Sequence, residues 1–306
     1  MSRILVCAKV NPDLDGTACT LAYSHLLNKE GVENNGIVFG EPQSEVIYFE
    51  KVHGIKIPRY KNNEGTEWKK FILVDASSMI GIPKPVTAEK VIEIIDHRVG
   101  EPEKEFSNAK IQNDLIGAAA TIIVERFVAS RSKPTPDHAK LLYGAIFHNT
   151  LNLTSSNTNN RDKKAILYLG KEFGLKRSMV EEMFKYSSKL IISDFKNAII
   201  ADAKEIGYGF QNKIGAHQLI LWMFDNSEYK LEIETASNNI FKNTNNIWNF
   251  INIIDLKGKK SILYCPDIKG QEILESTFEI NMEKGWGVLN CVLLRKQIMP
   301  LIAKQA

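Results

Sequence analysis

The sequence predicts an α/β protein, with an N-terminal domain built on a mainly parallel open sheet flanked by helices and a smaller C-terminal mixed α/β domain. Apolar runs of strand length at 4–6, 71–75 and 91–97 are of the continuous type, which is typical of strands buried on both faces. Segments with helical spacing of apolar residues lie between the first and second of these runs and after the third. Beyond residue 196, strand signals follow one another with fewer intervening helices, which favours a smaller mixed sheet.

The length and composition are those of an ordinary globular protein. The 306 residues suffice for two domains with separate cores, which we expect at 1–187 and 197–306 with a linker at 188–196. No stretch approaches the ~18 uninterrupted apolar residues of a membrane span. The first three residues lead directly into the first strand and leave no room for a secretory signal. We therefore expect a cytoplasmic protein without a membrane partner.

Charge and cysteine content exclude two further classes. A net charge of +3 is too small for a surface that binds a nucleic-acid polymer, although local basic clusters could bind a phosphate ligand. The cysteines show no C-x-x-C spacing, so we expect reduced core residues and neither a structural zinc site nor a disulfide framework. These cysteines are Cys7, Cys19, Cys265 and Cys291.

In chain order, the first domain is expected to contain strands and helices in alternation. After the first strand we predict a helix from 17 to about 30, a strand at 36–39, a helix at 43–49, the strands at 71–75 and 91–97, and helices at 116–127, 137–147, 162–173 and 177–187. The first turn of the helix at 116–127 consists of small residues. Its N–H groups could approach a phosphate, or the small side chains could simply permit tight packing on the sheet.

The second domain has fewer clear signals. We predict strands at 214–223 and 261–264, a helix at 239–255, and a final apolar strand followed by Arg295 and Lys296. In isolation, these two basic residues are equally compatible with a solvated strand end and with a phosphate-binding role.

Three of the predicted strands end in side chains that can bind a metal ion. They are Asp13 and Asp15 after the first strand, Asp75 after the second apolar run, and Asp96 and His97 after the third. An aspartate before Gly-Thr at the start of a helix is an ordinary N-cap, so capping is the alternative for the first pair. Neither Asp75 nor His97 clearly opens a helix. Because ligands bind at the carboxyl edge of an open α/β sheet, we favour one shared site.

These motifs, in this order, resemble the DHH phosphoesterase superfamily, and within it the family II, manganese-dependent inorganic pyrophosphatases with a DHHA2-type C-terminal domain. The resemblance extends over nearly the whole chain. The matching segments are V-N-P-D-L-D-G with Asp13 and Asp15, F-I-L-V-D with Asp75, I-I-D-H-R with Asp96 and His97, L-L-Y-G-A-I-F-H-N-T with Asn149, D-A-K-E with Lys204, and R-K-Q-I-M-P with Arg295 and Lys296.

The resemblance implies a two-metal hydrolase with its active site in the cleft between the domains, and a homodimer formed through the N-terminal sheet. It assigns the bridging carboxylate to Asp75 and a supporting role to Asp96. Carboxylates with one imidazole suit manganese, magnesium or cobalt better than zinc. The implied metal ligands are Asp13, Asp15, Asp75, His97 and Asn149, and the implied substrate-binding residues are Lys204, Arg295 and Lys296.

Several positions depart from the family pattern. The chain has Lys9 where the family has a ligand histidine, Arg98 where it has the second histidine of Asp-His-His, and Asn149 where it has a ligand aspartate. In the last basic motif, Leu293 and Leu294 stand where the family has Ser and Arg.

The departures change what the site can hold. A lysine ammonium has no lone pair, so Lys9 could act as a fixed positive charge in the place of one metal ion. Asn149 still offers a carbonyl oxygen but removes one negative charge. Arg98 cannot be a general acid near neutral pH, although it can bind phosphate bidentately. We therefore give Lys9 and Arg98 catalytic roles and expect one or two divalent ions, with a single ion held by Asp15, Asp75, His97 and Asn149.

The sequence favours an enzyme with an atypical metal site that hydrolyses a small phosphate-containing substrate. Inorganic pyrophosphate is the leading substrate on resemblance. Polyphosphate or a nucleotide phosphodiester is the alternative within the enzyme class. A non-catalytic phosphate or nucleotide sensor is the alternative from another class, because Lys9 and Asn149 could mark lost metal chemistry.

Overall fold

A computed structural model describes residues 4–61, 68–201, 203–208 and 212–305. The chain divides into two compact units, Met1–Met183 and Phe184–Ala306. Within the described ranges, no helix combines the length and the apolar character needed to cross a membrane.

The first unit contains a five-stranded parallel sheet with the order β2-β1-β3-β4-β5, together with six helices among its described residues. The strands are β1 (Ile4–Cys7), β2 (Asn34–Gly36), β3 (Lys70–Val74), β4 (Val91–Asp96) and β5 (Lys110–Asn113). The helices are α1 (Leu14–Lys29), α2 (Ser44–Val52), α3 (Ala119–Ala129), α4 (Pro136–Asn149), α5 (Asn160–Phe173) and α6 (Arg177–Ser193), the last of which continues past the division between the units.

The central strands of this sheet are the predicted apolar runs. β1 pairs with β3 in parallel, with Val6 opposite Ile72, and β3 pairs with β4 in parallel, with Val74 opposite Ile95. These four side chains are at most 2% exposed, because helices cover both faces of a parallel sheet. Since all the strands run in one direction, their carboxyl ends lie at one edge of the sheet.

Helix α1 is almost completely buried and packs against α3 and α4. Its N-cap is Asp13, whose Oδ1 accepts a hydrogen bond from the backbone N–H of Gly16 at 3.0 Å. Capping, the alternative raised for the Asp13 turn, is therefore present. Glycine is needed at position 16, because a Cβ there would lie 2.9 Å from Ala8 Cβ and 3.0 Å from Pro12 Cβ.

The second unit contains a mixed sheet with the order β10-β9-β8-β7-β6, in which β7 and β8 are parallel and the other neighbours are antiparallel. Together with the parallel first sheet, it confirms the predicted α/β class. Its elements are α7 (Phe195–Ala201), β6 (Lys204–Tyr208), β7 (Asn212–Leu221), α8 (Asn226–Phe241), β8 (Trp248–Asp255), β9 (Lys260–Tyr264), α9 (Ile268–Phe278), β10 (Trp286–Leu289) and α10 (Arg295–Ala303).

The predicted helix at 239–255 is wrong. Helix α8 ends at Phe241, and β8 follows as a strand whose eight residues are all buried. Trp248 and Phe250 belong to one core and Ile251 and Ile253 to another, so both faces of β8 are covered and the sequence shows no polar alternation. A buried strand of this kind cannot be distinguished from a buried helix by periodicity alone.

Smaller differences concern element ends. The strand expected at 36–39 is β2, which ends at Gly36, and beyond it Val38 forms an isolated bridge with Arg59. The segment 188–196, expected as a linker, is mostly helical, since α6 continues to Ser193 and α7 begins at Phe195. Arg295 and Lys296 form the first turn of α10 and not the end of a strand.

Candidate metal centre

Three buried side chains meet at the carboxyl edge of the parallel sheet. Asp15, Asp75 and His97 each offer one ligand atom, and these three atoms lie within 4.8 Å of one another. The exposed fractions of the three residues are 0%, 5% and 7%. Two carboxylates and one imidazole at this separation form a donor set that fits a divalent cation.

Strand ends and a helix start place these side chains. Asp75 follows β3 directly and has a φ of +51°, a left-handed conformation that turns the chain sharply. Its backbone N–H donates to the carbonyl oxygen of Ile95 at 2.8 Å and so ties this turn to β4. His97 follows β4, and Asp15 lies in the first turn of α1.

The ring of His97 is oriented for metal binding. Its Nδ1 lies 3.0 Å from the carbonyl oxygen of Ile116, which can only accept, so Nδ1 carries the hydrogen. Nε2 lies 3.4 Å from Asp75 Oδ1 and 3.7 Å from Asp15 Oδ2. An imidazole held through one nitrogen by a carbonyl group can present the other nitrogen to a metal ion.

The carboxylate of Asp15 is held by the start of α3. The backbone N–H groups of Ala119 and Ala120 donate to its two oxygens, each at 2.8 Å. Small residues in the first turn of α3 thus permit close packing against a buried carboxylate. Since both N–H groups are used in this way, the phosphate-binding alternative for this turn finds no support at Ala119 and Ala120.

The electrostatics of the site favour a positive charge between its carboxylates. Burial, together with the charge of Asp75, raises the pKa of Asp15 to about 7. Burial also raises the pKa of Asp75, despite the opposing charge of Arg98. Burial lowers the pKa of His97, but its hydrogen bond to Asp75 and the charge of Asp15 outweigh burial and raise that pKa to about 9. The carboxylates therefore hold a proton on His97 when no metal ion competes for the site.

Arg98 contacts the same carboxylate from the solvent side. Its Nη2 lies 2.7 Å from Asp75 Oδ1, and Nη1 donates to the backbone oxygen of Asp75 at 2.5 Å. Asp96 is fully buried and accepts from the backbone N–H of His97 at 2.8 Å, which fits the predicted supporting role. Asp96 Oδ2 has no hydrogen-bond partner among the described residues.

Asn149 also reaches the site, but through its amide nitrogen. Nδ2 donates to Asp15 Oδ2 at 2.5 Å and lies 3.5 Å from His97 Nε2. An amide nitrogen offers no lone pair, so Asn149 can bind a metal ion only if the amide rotates and presents Oδ1. Lys9 lies half-buried in the turn after β1, and its aliphatic portion runs beside Gly81.

The basic residues predicted to bind substrate belong to the second unit. Lys204 is exposed at the start of β6. Arg295 is 7% exposed, and its backbone N–H donates to Gln218 Oε1 at 2.7 Å. Asp202, in the motif with Lys204, lies outside the described residues.

Asp162 supports the site and was not identified from the sequence. This fully buried carboxylate accepts from the N–H of Gly117 at 3.0 Å and from Thr121 Oγ1 at 2.6 Å, and so anchors the start of α3. It also forms a capping box with Asn159 at the start of α5. An Asn three residues before an Asp is a variant of the capping-box pattern that could have revealed it.

The chain is similar to known proteins along its whole length. Residues 3–146 match the model of the DHH family, N-terminal domain. The chain is 26% identical to a probable manganese-dependent inorganic pyrophosphatase from an Exiguobacterium species, with 100% of this chain and 99% of that protein covered. It is 23% identical to the manganese-dependent inorganic pyrophosphatase of Bacillus subtilis, with 99% and 98% covered.

Two solved structures share the fold. One, from Methanococcus jannaschii, is provisionally described as a family II inorganic pyrophosphatase, with a TM-score of 0.72, 23% identity and 98% of each chain covered. The other, an exopolyphosphatase-related protein from Bacteroides fragilis, gives a TM-score of 0.51, 15% identity and coverage of 99% and 91%. Because they match the family model, residues 3–146 form a domain of the DHH family.

Proposed function

We propose that this protein is a metal-dependent phosphohydrolase that cleaves a phosphoric anhydride, with inorganic pyrophosphate as the leading substrate. The observation that carries the proposal is the buried group of Asp15, Asp75 and His97 within a DHH family domain. Similarity along the whole chain to manganese-dependent inorganic pyrophosphatases supports the choice of substrate and of manganese, with magnesium or cobalt as alternatives.

A divalent ion bound at this group would supply Lewis-acid stabilisation of phosphoryl charge and lower the pKa of water. Asp15, Asp75 and His97 would hold it, and the carbonyl group of Ile116 would keep His97 Nε2 directed to it. Release of the proton from His97 would accompany binding, because only the neutral imidazole is a ligand.

Phosphate oxygens would be bound by the basic residues. The side chain of Arg98 is 35% exposed, and a guanidinium has five N–H donors, so donors remain for a phosphate beside those used on Asp75. The other residues that we propose for substrate charge are Lys9, Lys204, Arg295 and Lys296. Metal-ligand roles for Asp13 and Asn149 and the domain limits 1–187 and 197–306 remain part of the proposal.

The cellular context is proposed on the resemblance. We infer a cytoplasmic homodimer that binds a small phosphate-containing substrate and no nucleic-acid polymer. Light scattering on the purified protein would measure its mass, and a value near 69 kDa, twice the 34.5 kDa of the chain, is expected. A mass of a single chain at micromolar concentration would contradict the dimer.

Phosphate release tests the function directly. Metal-free protein would be reloaded with manganese, magnesium or cobalt and given pyrophosphate, short polyphosphate, linear dinucleotides or cyclic dinucleotides. We expect the fastest release from pyrophosphate with manganese, and no release by an Asp75→Asn variant. Faster release from polyphosphate or a dinucleotide would identify that compound as the substrate in place of pyrophosphate. Release from none of these compounds would contradict the proposal that the protein is an enzyme.

The contacts of Arg98 and Asn149 give the sensor alternative its basis. In the structure, Arg98 forms an ion pair with Asp75 and the Asn149 amide donates to Asp15, so both carboxylates already have a cationic or N–H partner. Calorimetry with pyrophosphate and nucleotides would detect binding in the absence of turnover. Tight binding with no phosphate release would favour the sensor.

A further inference from the structure

The guanidinium of Arg98 holds Asp75 through both its side chain and its backbone. Besides the 2.7 Å ion pair with Oδ1 and the hydrogen bond to the backbone oxygen, Nη1 lies 3.6 Å from Asp96 Oδ1. Arginine keeps its charge in any protein environment. The ends of β3 and β4 therefore carry a permanent cation between two buried carboxylates.

Both positive partners of Asp75 lie beside the same oxygen, Oδ1. This oxygen lies 3.4 Å from His97 Nε2 and 2.7 Å from Arg98 Nη2. With His97, Asp15 completes the group of metal-competent atoms around Asp75. Asp13 Oδ1 is occupied by the N-cap hydrogen bond from the Gly16 N–H at the start of α1. Among the described residues, one group of at least three His, Cys, Asp or Glu side chains could hold a metal ion, and Asp13 is not a member.

The formal charges agree with a single ion. Arg98 places a permanent positive charge 2.7 Å from Asp75 Oδ1. A second divalent ion beside Asp75 and Asp13 would have to approach Arg98 closely, and like charges repel strongly in a poorly hydrated site.

We propose that Arg98 takes the place of a second divalent ion on Asp75, so that the protein binds a single ion at Asp15, Asp75 and His97. This inference rests on the proposed metal-dependent function and specifies its metal stoichiometry. Arg98 neutralises part of the charge of Asp75 and presents its remaining N–H groups to phosphate oxygens.

Metal content and magnetic resonance test the proposal without any turnover. Wild type and variants would be stripped with a chelator, loaded with manganese and separated from free ions. Bound manganese would then be counted by mass spectrometry and observed by electron paramagnetic resonance. The variants are Arg98→Gln, Arg98→Lys, Lys9→Ala and, as a control that removes a distant arginine ion pair, Arg59→Ala.

We expect one ion and the six-line spectrum of isolated manganese in wild type, Arg98→Lys, Lys9→Ala and Arg59→Ala. Arg98→Gln should bind a second ion and show the spectrum of a coupled pair. Two ions in wild type, one ion in a folded Arg98→Gln, or gain of the second ion by Lys9→Ala would overturn the role of Arg98. These outcomes would not contradict the proposed hydrolase function. Absence of any bound ion in wild type would overturn the metal-dependent function as well.

Discussion

At the scale of single residues, Asp75 combines a demanding backbone with a demanding charge. Its φ of +51° lies in the left-handed region, which aspartate and asparagine tolerate better than most residues. Its carboxylate lies between His97 and Arg98 and is 5% exposed. A buried carboxylate in a tight turn costs stability, so we infer that aspartate at position 75 serves the function of the site and not the stability of the fold.

Asparagine at position 75 separates charge from conformation. We expect Asp75→Asn to fold, since asparagine accepts the left-handed backbone, and to bind manganese at least ~100-fold more weakly because the central carboxylate is lost. Titration calorimetry measures the affinity, and circular dichroism reports the fold. Unchanged affinity in the folded variant would show that Asp75 is not a ligand.

His138 gives the fold a predictable response to acid. Burial, and then the charge of His25, lower its pKa to about 4, while Asp137 opposes the shift. The ring centroids of His138 and His25 lie 5.1 Å apart, and His138 Nδ1 has no hydrogen-bond partner in the described part of the chain. Below the ordinary histidine pKa of about 6.5 the unfolded state takes up a proton that the folded state resists, so stability falls as the pH decreases from there to about 4.

Replacing His138 should reduce this acid sensitivity. Between pH 7 and pH 5 we expect the free energy of unfolding of His138→Phe to change less than that of wild type, by at most about 2 kcal/mol. Urea unfolding at both pH values measures the difference, and the comparison with wild type cancels the contributions of Asp15 and His97. An identical pH dependence in both proteins would mean that His138 takes up its proton equally in both states.

At the scale of elements, the start of α3 organises the candidate centre. Its N–H groups hold Asp15, the preceding residue Ile116 orients His97, and Asp162 anchors Gly117 and Thr121. Asp15 and His97 thus depend on the start of α3, and the position of that segment depends on Asp162.

Removal of the Asp162 carboxylate should weaken metal binding, because it displaces the start of α3. Asp162→Ala leaves buried donors unpaired, so we expect a loss of about 2–4 kcal/mol in the free energy of unfolding and a manganese affinity roughly 10–100-fold lower. Asp137→Ala, which removes an exposed carboxylate from the first turn of α4, is the matched control and should change neither. An Asp162→Ala protein that is destabilised but binds manganese normally would limit Asp162 to a structural role.

Local pattern determined which elements could be predicted. The runs that became β1, β3 and β4 are short and bounded by turn residues, and their final side chains are fixed to one edge by the parallel arrangement. β8 could not be predicted because its two faces are buried in cores whose other members include residues distant in sequence, such as Ile214 and Leu219. The contacts of Arg98 with Asp75 and of Asn149 with Asp15 depend on such distant neighbours and rotamers as well, so the sequence indicated their chemistry without their partners.

At the scale of the whole molecule, the candidate metal ligands all belong to the first compact unit. Asp15, Asp75 and His97 lie within Met1–Met183, whereas Phe184–Ala306 has its own cores around Phe250 and Ile253. A ligand that binds only the folded state stabilises whatever unfolds together with its site.

Manganese should therefore protect the first unit more than the second. At a free concentration 100 times the dissociation constant, the expected stabilisation is about 2.7 kcal/mol, which corresponds to roughly 100-fold slower exchange of amides that open only by unfolding of that unit. Hydrogen exchange read by mass spectrometry gives this value separately for β1, β3 and α1 and for β7, β8 and β9. In the Asp75→Asn variant, manganese should slow amide exchange in neither group of elements. Equal slowing in both units of wild type would mean that the chain unfolds as one cooperative body, and slowing confined to β7, β8 and β9 would place the metal ion away from Asp15, Asp75 and His97.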